Sequence, residues 1–204
     1  MVRLGRRCLS LSYRSVSDDV GRVFRPGAIN GKRFANPRDI MSRPKRIPGY
    51  EYVGVQRYFL TICTDQRLEH LRDAANVDIV ARHFLQTAER ERIAVIVYCV
   101  MPDHMHLLVD GLDDGAELVP FVKLSKQKSG FEFKQRTGSR LWQEGYYEHV
   151  LRDEERTEDV VFYIIANPVR KGLVKDVMDY PFWGSSVYGR QELLNSIGLR
   201  KTSI

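Results

Sequence analysis

Val97-Tyr98-Cys99-Val100-Met101-Pro102-Asp103-His104-Met105-His106-Leu107-Leu108-Val109 is the stretch from which the rest of the architecture can be read. Ile93 to Met101 is an apolar run of β type, Pro102-Asp103 makes a turn, and His104 to Asp110 runs on as a strand. Together they predict a hairpin whose second strand opens with two histidines. Alternate side chains of a strand share a face, so His104 and His106 point one way and Met105 the other. Two neutral imidazoles converging on one point can hold a divalent metal.

Upstream of the hairpin, Tyr52 to Thr64 is rich in β-branched and aromatic residues and predicts a first strand. Residues 74–92 carry Val77, Val80, Ala81, Phe84, Leu85 and Ala88 at helical spacing. Downstream, residues 116–136 predict a second helix with Leu118, Phe121, Val122 and Leu124 on its apolar side, ended by Gly138. Leu141-Trp142-Gln143 and Tyr146 to Leu151 suggest a further strand. Asp153-Glu154-Glu155 then opens a helix, because an Asp cap and early acidic residues suit the helix dipole. Val160 to Ala166 would also suit a strand by periodicity; the capped start, with Pro168 as terminator, favours a helix. Beyond Val174 the chain is short, irregular and aromatic. The order strand, helix, strand, strand, helix, strand, helix predicts an α+β fold, a ferredoxin-like antiparallel sheet with helices packed on one face.

The chain has 204 residues, 43% hydrophobic and 28% charged, which suits one globular domain with something extra. Residues 1–47 hold 12 Lys+Arg against 3 Asp+Glu, a net of +9, and show no sustained period. They read as a basic, disordered arm able to strengthen binding to phosphate backbones, or as a plain solvated tail. Residues 48–190 read as the folded domain, slightly acidic, and 191–204 as a C-terminal tail. No apolar run reaches the length of a membrane span, and no secretory signal pattern is present. Cys8, Cys63 and Cys99 form no CxxC pair and read as free thiols of a reducing cytoplasm.

An HxH pair alone is a weak signal, and a core or surface histidine explains it equally well. Further along, Tyr163 and Asn167 lie at i and i+4 and share a helix face. Tyr163 offers a phenol, and Asn167 an amide oxygen suited to Mg²⁺ or Mn²⁺. If that helix packs beside the histidine strand, the site suits phosphoryl transfer. A metal draws charge from a phosphate oxygen, and the tyrosine oxygen attacks phosphorus to form a covalent phosphotyrosine. Without the histidine strand, Tyr163 would read as a core aromatic.

These residues carry a resemblance. Met101-Pro102-Asp103-His104-Met105-His106-Leu107-Leu108 resembles the HUH motif (U a bulky hydrophobic residue) of the single-tyrosine, insertion-sequence-200-like transposases. Residues 141–155, followed by Tyr163-Ile-Ile-Ala-Asn167-Pro-Val-Arg-Lys-Gly-Leu-Val174, resemble the REP-associated tyrosine transposase branch. The match covers roughly residues 50–188, and the two motifs together are far more specific than either alone. The resemblance implies that His104, His106 and Asn167 bind Mg²⁺ or Mn²⁺, that Tyr163 is the nucleophile, and that the substrate is single-stranded or hairpin repeat DNA. It also implies a protein that acts as a monomer or homodimer, in the cytoplasm and on the nucleoid when bound to DNA. The classical branch carries Gln where this chain has Asn167.

Around that core, Lys123, Lys126, Lys128, Lys134, Arg170 and Lys171 are candidate phosphate contacts, with a solvated face as the plain alternative. Trp142 is either a base-stacking residue or a core residue. Tyr146 and Tyr147 read as packing or stacking residues; His149 reads as a plain surface histidine or as a base or DNA contact, and His70 and His83 carry no motif and read as structural. Asp103 is either a partner for a ligating histidine or a turn residue. Two other functions stay open: a repeat-hairpin DNA-binding protein that does not cut, and a small metal-dependent hydrolase.

Overall fold

The structure is a computed structural model that describes residues 50–151 and 156–198. The basic arm and the Asp153-Glu154-Glu155 cap fall outside the described residues. The elements run β1 (Arg57–Cys63), α1 (Ala74–Arg90), β2 (Ile93–Met101), β3 (His104–Gly111), α2 (Leu118–Thr137), β4 (Tyr147–Val150), α3 (Thr157–Ile165), α4 (Asn167–Arg170), β5 (Trp183–Gly184) and α5 (Arg190–Ser196).

Five strands form one antiparallel sheet in the order β4-β1-β3-β2-β5. The first four strands, with α1 and α2 as crossovers, have the ferredoxin-like order. The hairpin sits where the 97–109 stretch places it, with Met101 opposite His104. β3 is central and bonded on both sides, which explains its nearly unbroken burial. In β2 the register shifts between Val95 and Val97, a bulge that turns Ile96 and Val97 to the same side.

The sheet is covered on both faces, and here the one-face expectation needs correction. On one side, Val77, Val80 and Phe84 of α1 and Leu118, Phe121 and Phe133 of α2 pack on Leu60, Ile62, Met105 and Leu107. On the other, Val160, Val161, Ile164 and Ile165 of α3 and Leu193 and Leu194 of α5 pack on Phe59, Cys99 and Leu108. The physical reason is the strand composition. Seven of the eight β3 residues are buried, so both faces of the hairpin need a cover, and α1 and α2 supply only one.

Three further readings change. Residues 191–196 belong to α5, a helix whose two leucines are buried, where the sequence suggested a tail. The aromatic segment after Val174 contributes β5, two residues paired with Tyr98 and Cys99. Pro168 does not stop the chain's helical path: α3 ends at Ile165, with Ala166 as its cap, and Pro168 sits in the first turn of α4, where a missing N–H costs nothing. The end of α2 is as read, with Gly138 left-handed at φ 74° and its N–H bonded to Lys134 O. No described helix is long and apolar enough to cross a membrane.

Candidate active site

Strand alternation and ladder register build the histidine half of the site. His104 pairs across the ladder with Cys63 and Met101, and His106 with Thr61 and Cys99. Both imidazoles are almost completely buried on the face covered by α3. Their Nε2 atoms approach to 3.1 Å. Each Nδ1 is engaged behind: His104 Nδ1 lies 2.5 Å from Asp103 Oδ1, and His106 Nδ1 lies 2.9 Å from Thr61 Oγ1. The Asp103 carboxylate, which only accepts, keeps the His104 proton on Nδ1 and leaves its Nε2 lone pair toward His106, while the Thr61 hydroxyl orients the His106 ring as donor or acceptor.

Burial pushes the His104 pKa down, against the opposing pull of Asp103. His106 is held well below the ordinary value by burial, then by His104 and by the cations Arg67, Arg170 and Lys171. At neutral pH both rings are therefore uncharged, the form that ligates metal. Burial would raise the Asp103 carboxyl, but its bond to His104 and the charges of His104 and Arg67 outweigh that and hold it low.

At this distance the two Nε2 atoms either share one hydrogen or face a common cation. The N–N separation is what two cis ligands at about 2.1 Å from an octahedral ion would show. The pair therefore fits a divalent metal. No group of three or more His, Cys, Asp or Glu side chains is assembled among the described residues, and within them Asn167 offers an amide oxygen as a further candidate ligand.

The helix half sits over the same face. The Tyr163 ring lies 5.7 Å from the His106 ring and 5.8 Å from Phe59, edge-on to both. Phe59 in turn stacks on His106 at 5.5 Å, so one aromatic sets the height of both catalytic candidates. Asn167 follows one turn later and is 4% exposed. Its Nδ2 donates to Tyr163 O at 2.8 Å, which spends the amide nitrogen inside the helix and leaves Oδ1 as the atom available for a ligand. The Arg170 guanidinium stands 4.8 Å above the Tyr163 ring centroid. Burial raises the Tyr163 phenol, and the charge and hydrogen bond of Arg170 oppose it.

Of the other sequence candidates, Arg170 and Lys171 are brought near the histidines, where their charges are felt at His106. Lys123, Lys128 and Lys134 are not: they lie on α2, which covers the opposite face. Lys126 is half-buried, with Nζ bonded to Gln143 O at 3.0 Å and to Gly145 O; burial lowers its pKa to about 8. Trp142 is in the core against Phe84, its Nε1 donating to Ser129 Oγ at 3.0 Å, so it is not placed to stack on a base at the histidine site. Thr61 and Arg67 went unnoticed in the sequence. Only the β1–β3 register brings Thr61 behind His106, and no local spacing signals it.

Comparisons with known proteins bear on this arrangement. The family model described as Transposase IS200 like matches residues 53–167, more than half of the chain. The chain belongs to the IS200-like transposase family. Two relatives place it in the REP-associated tyrosine transposase branch of that family. A Haemophilus influenzae protein provisionally described as a REP-associated tyrosine transposase is 31% identical over 137 residues, 61% of this chain and 77% of that protein. An Escherichia coli K12 REP-associated tyrosine transposase is 33% identical over 106 residues, 50% of this chain and 60% of that protein. Among solved structures, a REP-associated tyrosine transposase bound to a REP hairpin is similar in fold. Its TM-score is 0.57 at 23% identity, over 70% of this chain and 82% of that one. The matched region of the IS200-like model ends on Asn167 and so contains both halves of the site.

Proposed function

We propose that this transposase cuts and rejoins single-stranded or hairpin DNA through a covalent phosphotyrosine at Tyr163, with Mg²⁺ or Mn²⁺ held by His104, His106 and Asn167. The observation that carries the reading is the pair of Nε2 atoms 3.1 Å apart beneath a tyrosine ring 5.7 Å from His106. The solved relative bound to a REP hairpin supports hairpin DNA as the substrate class.

The metal would supply charge withdrawal from a non-bridging oxygen of the scissile phosphate. The chain's own residues do the rest. Tyr163 loses its phenolic proton, and its oxygen forms a bond to phosphorus while the bond from phosphorus to the 3′ oxygen breaks. The released strand end takes up a proton as a 3′-hydroxyl. The phosphotyrosine keeps the ester linkage, so a second 3′-hydroxyl can attack it and reverse the step without ATP. Arg170 favours the phenolate over the phenol and then faces the negative charge of the phosphoryl group. Thr61 and Asp103 hold the imidazoles in the ligating orientation.

Labelled hairpin oligonucleotide, incubated with the protein and Mn²⁺ and run on a denaturing gel, should form a covalent adduct with wild type and none with Tyr163→Phe. An equal adduct from the Phe variant rejects Tyr163 as nucleophile. A water-activating hydrolase is the weaker reading, because such sites add carboxylates or further histidines and none join this pair among the described residues.

A further inference from the structure

Behind His104 lies a closed ring of contacts of which the chemistry above uses only the Asp103–His104 bond. Arg67 donates through one terminal nitrogen to Cys63 Sγ at 2.7 Å and through the other to Asp103 Oδ2 at 2.9 Å. Asp103 Oδ1 meets His104 Nδ1 at 2.5 Å. Cys63 and His104 are ladder partners of β1 and β3, which closes the ring. The forked guanidinium presents separate nitrogens to a thiol on one strand and a carboxylate on the neighbouring turn.

The backbone is bent to put Arg67 there. Gln66 and Arg67 both adopt left-handed conformations, at φ 51° and 59°, a strained pair for residues with side chains. The surrounding bonds hold the bend in place. Thr64 Oγ1 donates to Leu68 O at 2.7 Å and to Asp103 O at 3.0 Å, and Thr64 N donates to Asp103 O at 3.0 Å. Leu71 N donates to Pro102 O at 2.9 Å. The segment after β1 thus clasps the 102–103 turn, and Arg67 is where that clasp touches the histidine.

We propose that Arg67 is a positioning residue for the active site: by gripping Asp103 against Cys63 it fixes the Nδ1–H of His104 and so aims Nε2 at the shared ion. The role of the ion rests on the metal reading above; the hold on His104 does not. An Asp103 without Arg67 loses that bond and is free to turn toward solvent, since its side chain is 26% exposed, whereas the His104 side chain is 3% exposed and its Nδ1 contacts only Asp103 among the described residues.

Two measurements on the full chain test this. Nitrogen-15 spectra of the metal-free protein should show the His104 proton held at Nδ1 in wild type. In Arg67→Met they should show a mixture of tautomers at His104. Calorimetric titration with Mn²⁺ should show affinity reduced about tenfold in Arg67→Met, the scale of second-layer partners of metal-bound histidine. Asp103→Asn should lose at least as much, and the double variant no more than Asp103→Asn alone. Arg67→Lys, which keeps the charge but loses the fork, should fall between, and it replaces the Met variant if that one fails to fold. Unchanged tautomers in Arg67→Met, or losses that add in the double variant, overturn the assignment. Wild-type protein that binds no Mn²⁺, or binds it equally after His104→Ala, removes the metal reading instead, and the tautomer spectra still decide what Arg67 does.

Discussion

Acidification should unfold this protein in a way that reports the histidine pair. An unfolded histidine titrates near its ordinary value of 6.5. In the fold, His106 is held well below that value by complete burial, and His104 is also lowered, though Asp103 opposes the shift. With a depressed folded pKa the unfolded chain binds the extra proton, so stability is full above pH 6.5 and falls as the pH drops toward the folded values. For a histidine that stays neutral in the fold, the loss between pH 7.5 and 5.5 is about 1.4 kcal/mol. His106 should contribute close to that, and His104 up to as much again, for a total of about 1.4–2.7 kcal/mol. Asp103 works in a different window: its carboxyl is held low, so its contribution is lost only in more acidic solution. Urea unfolding in metal-free buffer at steps from pH 7.5 to 5.5 measures the slope. In His106→Gln the slope should flatten by about one proton's worth, whatever that variant does to the absolute stability. A wild-type loss under about 0.5 kcal/mol, or the same slope in His106→Gln, would refute the claim that His106 is buried neutral.

Three other changes separate roles that the sequence leaves merged. Arg170→Gln removes the cation that opposes burial at the Tyr163 phenol, so the rise of adduct formation with pH should move to higher pH. Near neutrality single-turnover cleavage should slow about 2- to 5-fold, matching about 0.5–1 kcal/mol for a cation over an exposed ring. Trp142→Ala should cost about 3–5 kcal/mol in urea unfolding, as for a large core aromatic, while adduct yield per folded molecule stays level. A selective loss of hairpin affinity would instead make Trp142 a stacking residue. Leu194→Ala, in a stretch that reads as a tail, should cost about 2–5 kcal/mol by the same measure, and a neutral result would show that α5 is dispensable.

The hairpin was legible because two signals agree there: an apolar run long enough for a strand on each side, and a Pro-Asp turn that leaves little freedom in register. The i, i+4 pairing of Tyr163 with Asn167 was legible for a similar reason, since helical spacing survives the break at Ala166. The second cover of the sheet was not, because α3 is apolar nearly all round and its periodicity says nothing about which face it meets. β5 is two residues long and exists only because β2 offers it an edge. Thr61 and Arg67 belong to the class that a single sequence hides. Thr61 matters through a register set 45 residues away, and Arg67 through a backbone bend that no glycine announces. The lysines of α2 misled for the opposite reason: charge is visible in a sequence, but the side of the sheet it lands on is not.

The two halves of the site are restrained by different physics, and that division has a consequence. His104 and His106 stand on a strand bonded to neighbours on both sides, with each ring pinned from behind. Moving either nitrogen means breaking ladder bonds or leaving a buried donor unpaired, which costs about 1–3 kcal/mol per group. Tyr163 and Asn167 ride on two short helical segments joined at Ala166, held on the sheet by side-chain packing of α3, by edge contacts of the Tyr163 ring and by the bond from Asn167 to Tyr163 O, and not by ladder bonds. Small shifts of this unit need no ladder bond broken. On the proposed reading, adjustment to an incoming phosphate should therefore fall on the helix, with the histidines as the fixed reference against which Tyr163 and Asn167 move.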